Sequence, residues 1–511
     1  MTTYSFPRGF APTTISSFSS SDKIDLSAFN IADFAALSGY LVIGGGNSVL
    51  TFKWMGQVEQ ITVEAYALSA ADFIFNTSPA DLTVNGTSGI DYIFGGNGND
   101  RLDGRGGGTT SSQGTTDWLS GGNGNDLYFV RRPSDLVIEH AGEGSADRVL
   151  VATGSGYTLP AGAEIELLTT TNSTATAQTN LQGNELGQTI IGNAGVNRIT
   201  DASGNNQWTT PGDVLIGLAG NDQYTVSGAF TRVVEAAGQG SFDTLQFIAI
   251  RTESYTLDPE AEIELMSLLA GPGKERTLIG NRFDQSLHGG ASNDVLNGKG
   301  GHDSYTGGEG DDVFYVDQAG EYVSEYAGEG FDRVCASTSW SMATFTDSRI
   351  EMLTTTSANG SAAIDLTGNQ WDQTIFGNAG VNRLDGQGGN DTLYGGRGLD
   401  ILTGGWSADN FVFNTVPDSS ANYDRITDFL VEVDTIWLEN AIFTQLGASG
   451  ALSPDAFRAA AAAQDTSDRI IYNPATGGLA YDPDGVGGSG AVRFAVLAQG
   501  LNLTSGDFFI I

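Results

Sequence analysis

Through residues 368 to 413 a large apolar side chain returns at every ninth position: Ile375, Leu384, Leu393, Leu402 and Phe411. The residues between are polar and glycine-rich, and each unit opens on glycine, at Gly368, Gly377, Gly386, Gly395 and Gly404. A flexible linker does not keep an apolar position in phase with its glycines, so the period is structural. A turn followed by a short strand satisfies it, the eighth residue pointing inward and the glycines allowing positive φ and close backbone approach. Two such units close one coil, and successive coils stack at the strand-pairing distance of about 4.8 Å.

The same phase recurs from Gly280 (GNRFDQSLH, GGASNDVLN, GKGGHDSYT, GGEGDDVFY), from Gly183 (GNELGQTII, GNAGVNRIT, then GLAGNDQYT) and from Gly86 (GTSGIDYIF, GGNGNDRLD, then GGNGNDLYF). The two earlier runs are interrupted in their third unit, and each insertion ends in an Asp-x-Leu tail at Asp117 or Asp213. With those insertions set aside, the four runs form super-repeats of about 90 residues. The spacers also repeat, as in "LVIEHAGEGSADRVL", "RVVEAAGQGSFDTL" and "YVSEYAGEGFDRV". Their short β-branched and aromatic runs read as strands and predict that the spacers extend the same solenoid. One helix is expected, in "SPDAFRAAAAAQDTSDR", with Ser453 as N-cap and Pro454 at the first helical position.

Charge gives the pattern its chemistry. The 511 residues carry 61 Asp and Glu against 23 Lys and Arg, a net charge of -38, which makes nucleic acid a poor partner. The hydrophobic share of 40% argues against disorder. Many of the acids sit at position six of the nonapeptide: Asp91, Asp100, Asp126, Asp222, Asp294, Asp303, Asp312, Asp391, Asp400 and Asp409, joined by Asp117 and Asp213 after the insertions. In a stack their carboxylates lie in register and repel unless they share a cation. Calcium suits such a site, because it takes six to eight oxygens, backbone carbonyls included. Zinc would want His or Cys, and the chain has one cysteine, Cys335, and three histidines with no close pairing, His140, His288 and His302. Magnesium is disfavoured by its octahedral demand. Gln188, Asn197, Gln285, Gln373 and Asn382 hold position six without a charge and are expected to form metal-free coils.

The units GGNGNDRLD, GGNGNDLYF, GGEGDDVFY and GGRGLDILT resemble the RTX nonapeptide of hemolysin-type, calcium-binding secreted proteins, and the resemblance covers residues 86 to 413. It implies several calcium ions in a parallel β-roll, held by the position-six aspartates and by carbonyls of the glycine turns. Here those turns include Gly96, Gly98, Gly122, Gly124, Gly290, Gly301, Gly308, Gly310, Gly389, Gly396 and Gly398. The expected fold is all-β, an elongated parallel β-roll or β-solenoid with β-rich N- and C-terminal caps. Residues 1–84 read as an N-terminal cap or assembly domain, 85–413 as the roll, and 414–511 as a C-terminal cap. In the last segment "DRITDF" resembles the family's capping strand, and the apolar C-terminus resembles a type I secretion signal. Asp22, Asp25 and Asp33 read as solvated turn residues rather than ligands.

No His-Glu-x-x-His or Gly-x-Ser-x-Gly motif is present, so an enzyme is not expected. Neither a Sec-type leader nor a transmembrane segment is read from the sequence. The expectation is a secreted calcium-binding protein that folds outside the cell and self-associates there, as a surface layer, filament or matrix. The alternative is a calcium-dependent adhesin for surface polysaccharide, with Trp118 and Trp208 in the insertions as sugar-stacking candidates.

Overall fold

A computed structural model describes residues 1–6, 10–29, 31, 37, 41–44, 47–54, 57–64, 73–74, 78–105, 116–152, 154, 156–202, 212–248, 254–269 and 275–511. Asp33 and Trp208 lie outside the described residues. The chain forms two units, divided near residues 252 to 265.

In the first unit the chain alternates strand by strand between two parallel stacks. One begins Thr83–Asn85, Arg101–Asp103, Leu127–Val130, Arg148–Val151 and continues to Arg232–Val234. Facing it are Tyr92–Gly96, Trp118–Gly122 and Leu136–Ile138, followed by a stack from Tyr157–Thr158 to Thr244–Phe247. Strands from the spacers, such as Leu136–Ile138 and Arg148–Val151, take places in the stacks beside nonapeptide strands. An antiparallel meander, Leu41–Gly44, Asn47–Trp54 and Gln57–Val63, precedes the roll, with Thr13–Ile15 added in parallel. Its core of Ile15, Ile24, Leu26, Leu50, Ile61 and Val63 also includes Phe94 from the first coil, and Tyr92 and Trp118 pack against it.

The second unit repeats the scheme. Leu353, Ile375, Leu393, Phe411, Ile436 and Phe508 form one column in direct register. Leu366, Leu384, Leu402 and Ile426 form a facing column. These side chains are essentially fully buried, so each contributes about 1.5–3 kcal/mol by leaving water. The fold is therefore a parallel β-roll whose eighth-position residues fill the interior.

Past Thr435–Leu438 the chain adds an antiparallel set, Val492–Val496 against Gly478–Tyr481 against Ile470–Asn473, which joins the stack through parallel pairing of Val492–Val496 with Asp424–Ile426. The helix expected from Ser453 does not form: Pro454–Ala456 is a single 3-10 turn, Ser453 makes no side-chain cap, and Phe457–Ala459 is a strand paired with Ile470–Asn473. Asp468 explains the change. Fully buried, it accepts from Arg458 Nε and from the N–H groups of Gln464 and Asp465, which turns the alanine tract into a loop. A sheet edge and a buried carboxylate outweigh the helix propensity of five alanines. Among the described residues no helix is long and apolar enough to cross a membrane.

Candidate metal centre

The turn geometry follows from the residues at positions one, two and four. At position one the backbone keeps an ordinary φ, yet a side chain is excluded: at Gly121 a Cβ would overlap Oδ2 of Asp126 and the Tyr128 hydroxyl, and at Gly404 it would overlap Oδ2 of Asp409. In most of the turns that carry an aspartate, positions two and four turn left-handed. Gly96, Gly122, Gly124, Gly301, Gly308, Gly310, Gly389, Gly396 and Gly398 have φ between 86° and 130°. Leu218, Lys299 and Gln387 adopt the same region at position two, with φ of 78°, 74° and 72°. Gly98 and Gly290 lie outside it. Gly98 is needed because a Cβ would stand 2.5 Å from the Ala80 carbonyl oxygen, whereas the nearest atom to a Cβ at Gly290 is 3.8 Å away.

All twelve sequence-predicted aspartates are buried, each 2% exposed or less. Coil stacking joins them into ladders in which one carboxylate oxygen accepts the peptide N–H of the position-six residue one coil earlier. Asp91 N–H donates to Asp117 at 3.0 Å and Asp100 N–H to Asp126 at 2.6 Å. Gln188 donates to Asp213 at 2.6 Å and Asn197 to Asp222 at 2.7 Å. Gln285 donates to Asp303 at 2.8 Å and Asp294 to Asp312 at 2.6 Å. Gln373 donates to Asp391 at 2.7 Å, Asn382 to Asp400 at 2.8 Å and Asp391 to Asp409 at 2.9 Å.

The other oxygen is the chemically exposed one. Oδ2 of Asp100, Asp117, Asp126, Asp222, Asp294, Asp312, Asp391 and Asp409 is buried and receives no hydrogen bond. Burial, augmented by neighbouring carboxylates, pushes Asp117 and Asp126 up to about 7 and Asp303, Asp312 and Asp391 to about 8. Oδ2 of Asp400 and of Asp424 both lie 2.8 Å from where a Cβ would stand on Gly395; burial and then the Asp424 charge raise Asp400, whereas Asp424 is raised by burial alone, against hydrogen bonding with Asp400 that lowers it. Asp103 shows the contrast: burial acts on it too, but hydrogen bonds from Arg131 hold it below the usual carboxylate range. Asp91 differs again, since Thr87 donates to both its oxygens.

Turns without an aspartate show what the others require. Asn197 Nδ2 donates to the carbonyls of Asn193 at 2.9 Å, Gly195 at 2.6 Å and Gly217 at 3.3 Å, and to Asp222 Oδ1 at 3.0 Å. An N–H donor thus occupies a point on which carbonyl and carboxylate oxygens converge. Gln188, Gln285 and Gln373 close their turns with reciprocal amide bonds to Asn184, Asn281 and Asn369. The donor set is entirely oxygen, several buried carboxylate oxygens lack a partner, and the glycine cradles admit no side chain. Those properties fit calcium.

The ladders run past the nonapeptides into residues that the sequence pattern did not single out. Asp117 donates its N–H to Asp135 at 3.2 Å, Asp126 to Asp147 at 2.6 Å and Asp222 to Asp243 at 2.6 Å. Asp312 donates to Asp332 at 2.9 Å, Asp400 to Asp424 at 3.1 Å and Asp409 to Asp434 at 3.0 Å. Each added acid precedes an inward apolar residue by two places, as in Asp147-x-Val149 and Asp424-x-Ile426. That local signal was available without the glycines. Near the N-terminus, Asp22 and Asp25 are engaged by Thr2, Ser19, Ser5 and Ser27.

A family model described as the RTX calcium-binding nonapeptide repeat matches four stretches, residues 83–110, 114–130, 279–314 and 372–411. The run from Gly183, which opens on Gln188 and Asn197, lies outside them. No match is found among curated proteins.

Proposed function

We infer, from the premise that the chain is an RTX repeat protein that binds calcium, that it is a secreted structural protein which folds on extracellular calcium and assembles at the cell surface. The observation that carries the calcium step is the contrast between Asn197 and the aspartates. Where an amide donates to the turn carbonyls the coil closes by itself, and at Asp100, Asp117, Asp126, Asp222, Asp294, Asp312, Asp391 and Asp409 the second carboxylate oxygen has no donor. Calcium supplies the missing positive charge when bound. The residues that would hold it are Asp100, Asp117, Asp126, Asp213, Asp222, Asp294, Asp303, Asp312, Asp391, Asp400 and Asp409, with carbonyls of the adjoining glycine turns. In calcium-poor cytosol the buried carboxylates oppose folding. In millimolar calcium outside, binding to the folded form alone adds about 4 kcal/mol per site at a thousandfold excess over Kd.

Assembly is supported by the two β-rich ends, residues 1–84 and 414–511, as places for contacts between copies, and we assign them as caps of a roll spanning 85–413. The C-terminal segment would also carry the type I secretion signal. Electron microscopy of the purified chain with and without calcium tests this: ordered polymers in calcium alone are expected, and monodisperse particles in both conditions would overturn assembly.

The adhesin reading shifts to a different residue. Trp118 lies 5.5 Å from Tyr92, ring to ring, and packs on the N-terminal core, so it is not free to stack on sugar. Trp406, 83% exposed on a turn, is the side chain that favours this second reading. Retention on a polysaccharide array that is lost in Trp406→Ala would support it.

A further inference from the structure

Beside the last nonapeptide of three runs lies a second kind of acidic group, built partly from the spacer. Asp126, Glu139 and Asp147 each place a carboxylate oxygen within 4.8 Å of the other two, as do Asp222, Glu235 and Asp243, and Asp312, Glu325 and Asp332. In the first group the oxygens divide their tasks. Asp126 Oδ1 accepts the Asp100 N–H, Asp147 Oδ1 accepts the Asp126 N–H, and Glu139 Oε2 accepts the Tyr128 hydroxyl. The remaining oxygens, Asp126 Oδ2, Glu139 Oε1 and Asp147 Oδ2, receive no hydrogen bond, in residues that are 1%, 2% and 1% exposed. In the second group Tyr224 donates to Glu235 Oε2, and Asp222 Oδ2 and Glu235 Oε1 are left in the same state.

We propose that these triads are cation sites completed by the spacer rather than by the nonapeptide turn alone, each taking one calcium ion, or an ion of similar size and hardness, on three carboxylates, of which the position-six aspartate is shared with the turn. The donors are all oxygen, which selects a hard cation. The charges that face Asp126 and Glu139 are themselves carboxylates, Asp100, Glu143 and Asp147 among them, and among the described residues no ion pair is made to Asp126, Glu139 or Asp147. The backbone is shaped to match. A Cβ at Gly144 would overlap Asp147 Oδ2 and the Gly124 carbonyl, and one at Gly240 would overlap Asp243 Oδ2 and stand 2.5 Å from the Gly220 carbonyl. Glycine is thus required in the spacer for the reason it is required at position one of the repeat.

The triads are not equivalent. The Tyr128 hydroxyl accepts the Gly121 N–H at 2.8 Å while donating to Glu139, so it relays the backbone to one glutamate oxygen and leaves the other to a ligand. In the third group Phe314 stands at the tyrosine position. Glu325 accepts the Gly307 N–H directly and the Gly308 N–H at 3.4 Å, which engages both its oxygens. Two strong sites, each with a phenol beside it, and one weaker site follow.

This inference rests on the reading that the roll takes calcium, and the test separates the two. Calcium binding to the full-length chain is counted by equilibrium dialysis, and terbium is used as a luminescent probe that emits when a nearby phenol transfers energy to it. Glu139→Gln with Glu235→Gln keeps an acceptor for each tyrosine and removes the charge; about two fewer calcium ions and reduced tyrosine-excited terbium emission are expected. Tyr128→Phe with Tyr224→Phe should lower the emission while the dialysis count stays within one ion, and this arm decides if the glutamine variant does not fold. Unchanged count and emission in a folded glutamine variant, or unchanged emission in the phenylalanine variant, would overturn the triads alone. A wild-type chain that binds no calcium would overturn the wider reading with them.

Discussion

Replacing Asp391 with asparagine should stabilise the calcium-free protein while weakening its response to calcium. Asp391 is completely buried, and burial followed by the charges of Asp409, Asp372 and Asp385 lifts its carboxyl from 3.8 to about 8. Because the folded-state value is raised, the unfolded chain ionises first, and near neutral pH the folded state carries a penalty that is absent below pH 4. At 1.36 kcal/mol per unit this is on the order of 5 kcal/mol at pH 7.5. An amide cannot ionise, so Asp391→Asn removes the penalty. Its oxygen still accepts the Gln373 N–H, now at 2.7 Å, and its nitrogen can donate to turn carbonyls as Asn197 does. The expected result is a gain of about 2–5 kcal/mol in chelator. In saturating calcium the same substitution forfeits about 3–4 kcal/mol of binding. Urea unfolding followed by circular dichroism, with hydrogen exchange at the Thr392–Tyr394 amides as the local readout, measures both. A variant less stable than wild type in chelator, by as much as in calcium, would refute the claim that uncompensated charge creates the calcium requirement.

Two further outcomes follow from the same geometry. Gly404→Ala should cost about 1–3 kcal/mol, because its Cβ overlaps Asp409, whereas Gly290→Ala should cost under about 0.5 kcal/mol; equal thermal shifts for the two would contradict the steric account of position one. In chelator, stability should fall as pH rises from about 4 to 8, since Asp117, Asp126 and Asp294 are raised to about 7 and Asp303 and Asp312 to about 8; thermal melts that improve with pH across this window would reverse the assigned sign.

The roll was legible because Leu384, Leu393 and Leu402 report the inward position of every strand, and a nine-residue period admits few other structures. Asp391 and its counterparts were legible for the same reason, as acids held in phase. Asp147 and Asp424 were harder to see, because a glycine-led pattern passes over an acid whose only local mark is an apolar residue two places on, and Glu139, followed two places on by exposed Ala141, lacks even that mark. Position-one glycines were expected to serve turn flexibility and close backbone approach. Gly121 and Gly404 instead make room for the carboxylate five residues later. The alanine tract after Phe457 misled because local helix propensity was weighed without Asp468, whose bonds to Arg458 and the loop amides exist only in the folded chain.

The ladder of peptide N–H to carboxylate has a sense. Each acid receives its bond from the coil nearer the N-terminus, so every coil presents a finished acceptor to the one before it in sequence. A coil lost from the N-terminal side of a run leaves behind a carboxylate, which water or a cation can satisfy. One lost from the C-terminal side leaves a buried N–H unmatched, at about 1–3 kcal/mol. Ordered coils therefore act as a seed that templates their N-terminal neighbours, and growth of the stack has a preferred direction written into its hydrogen bonds.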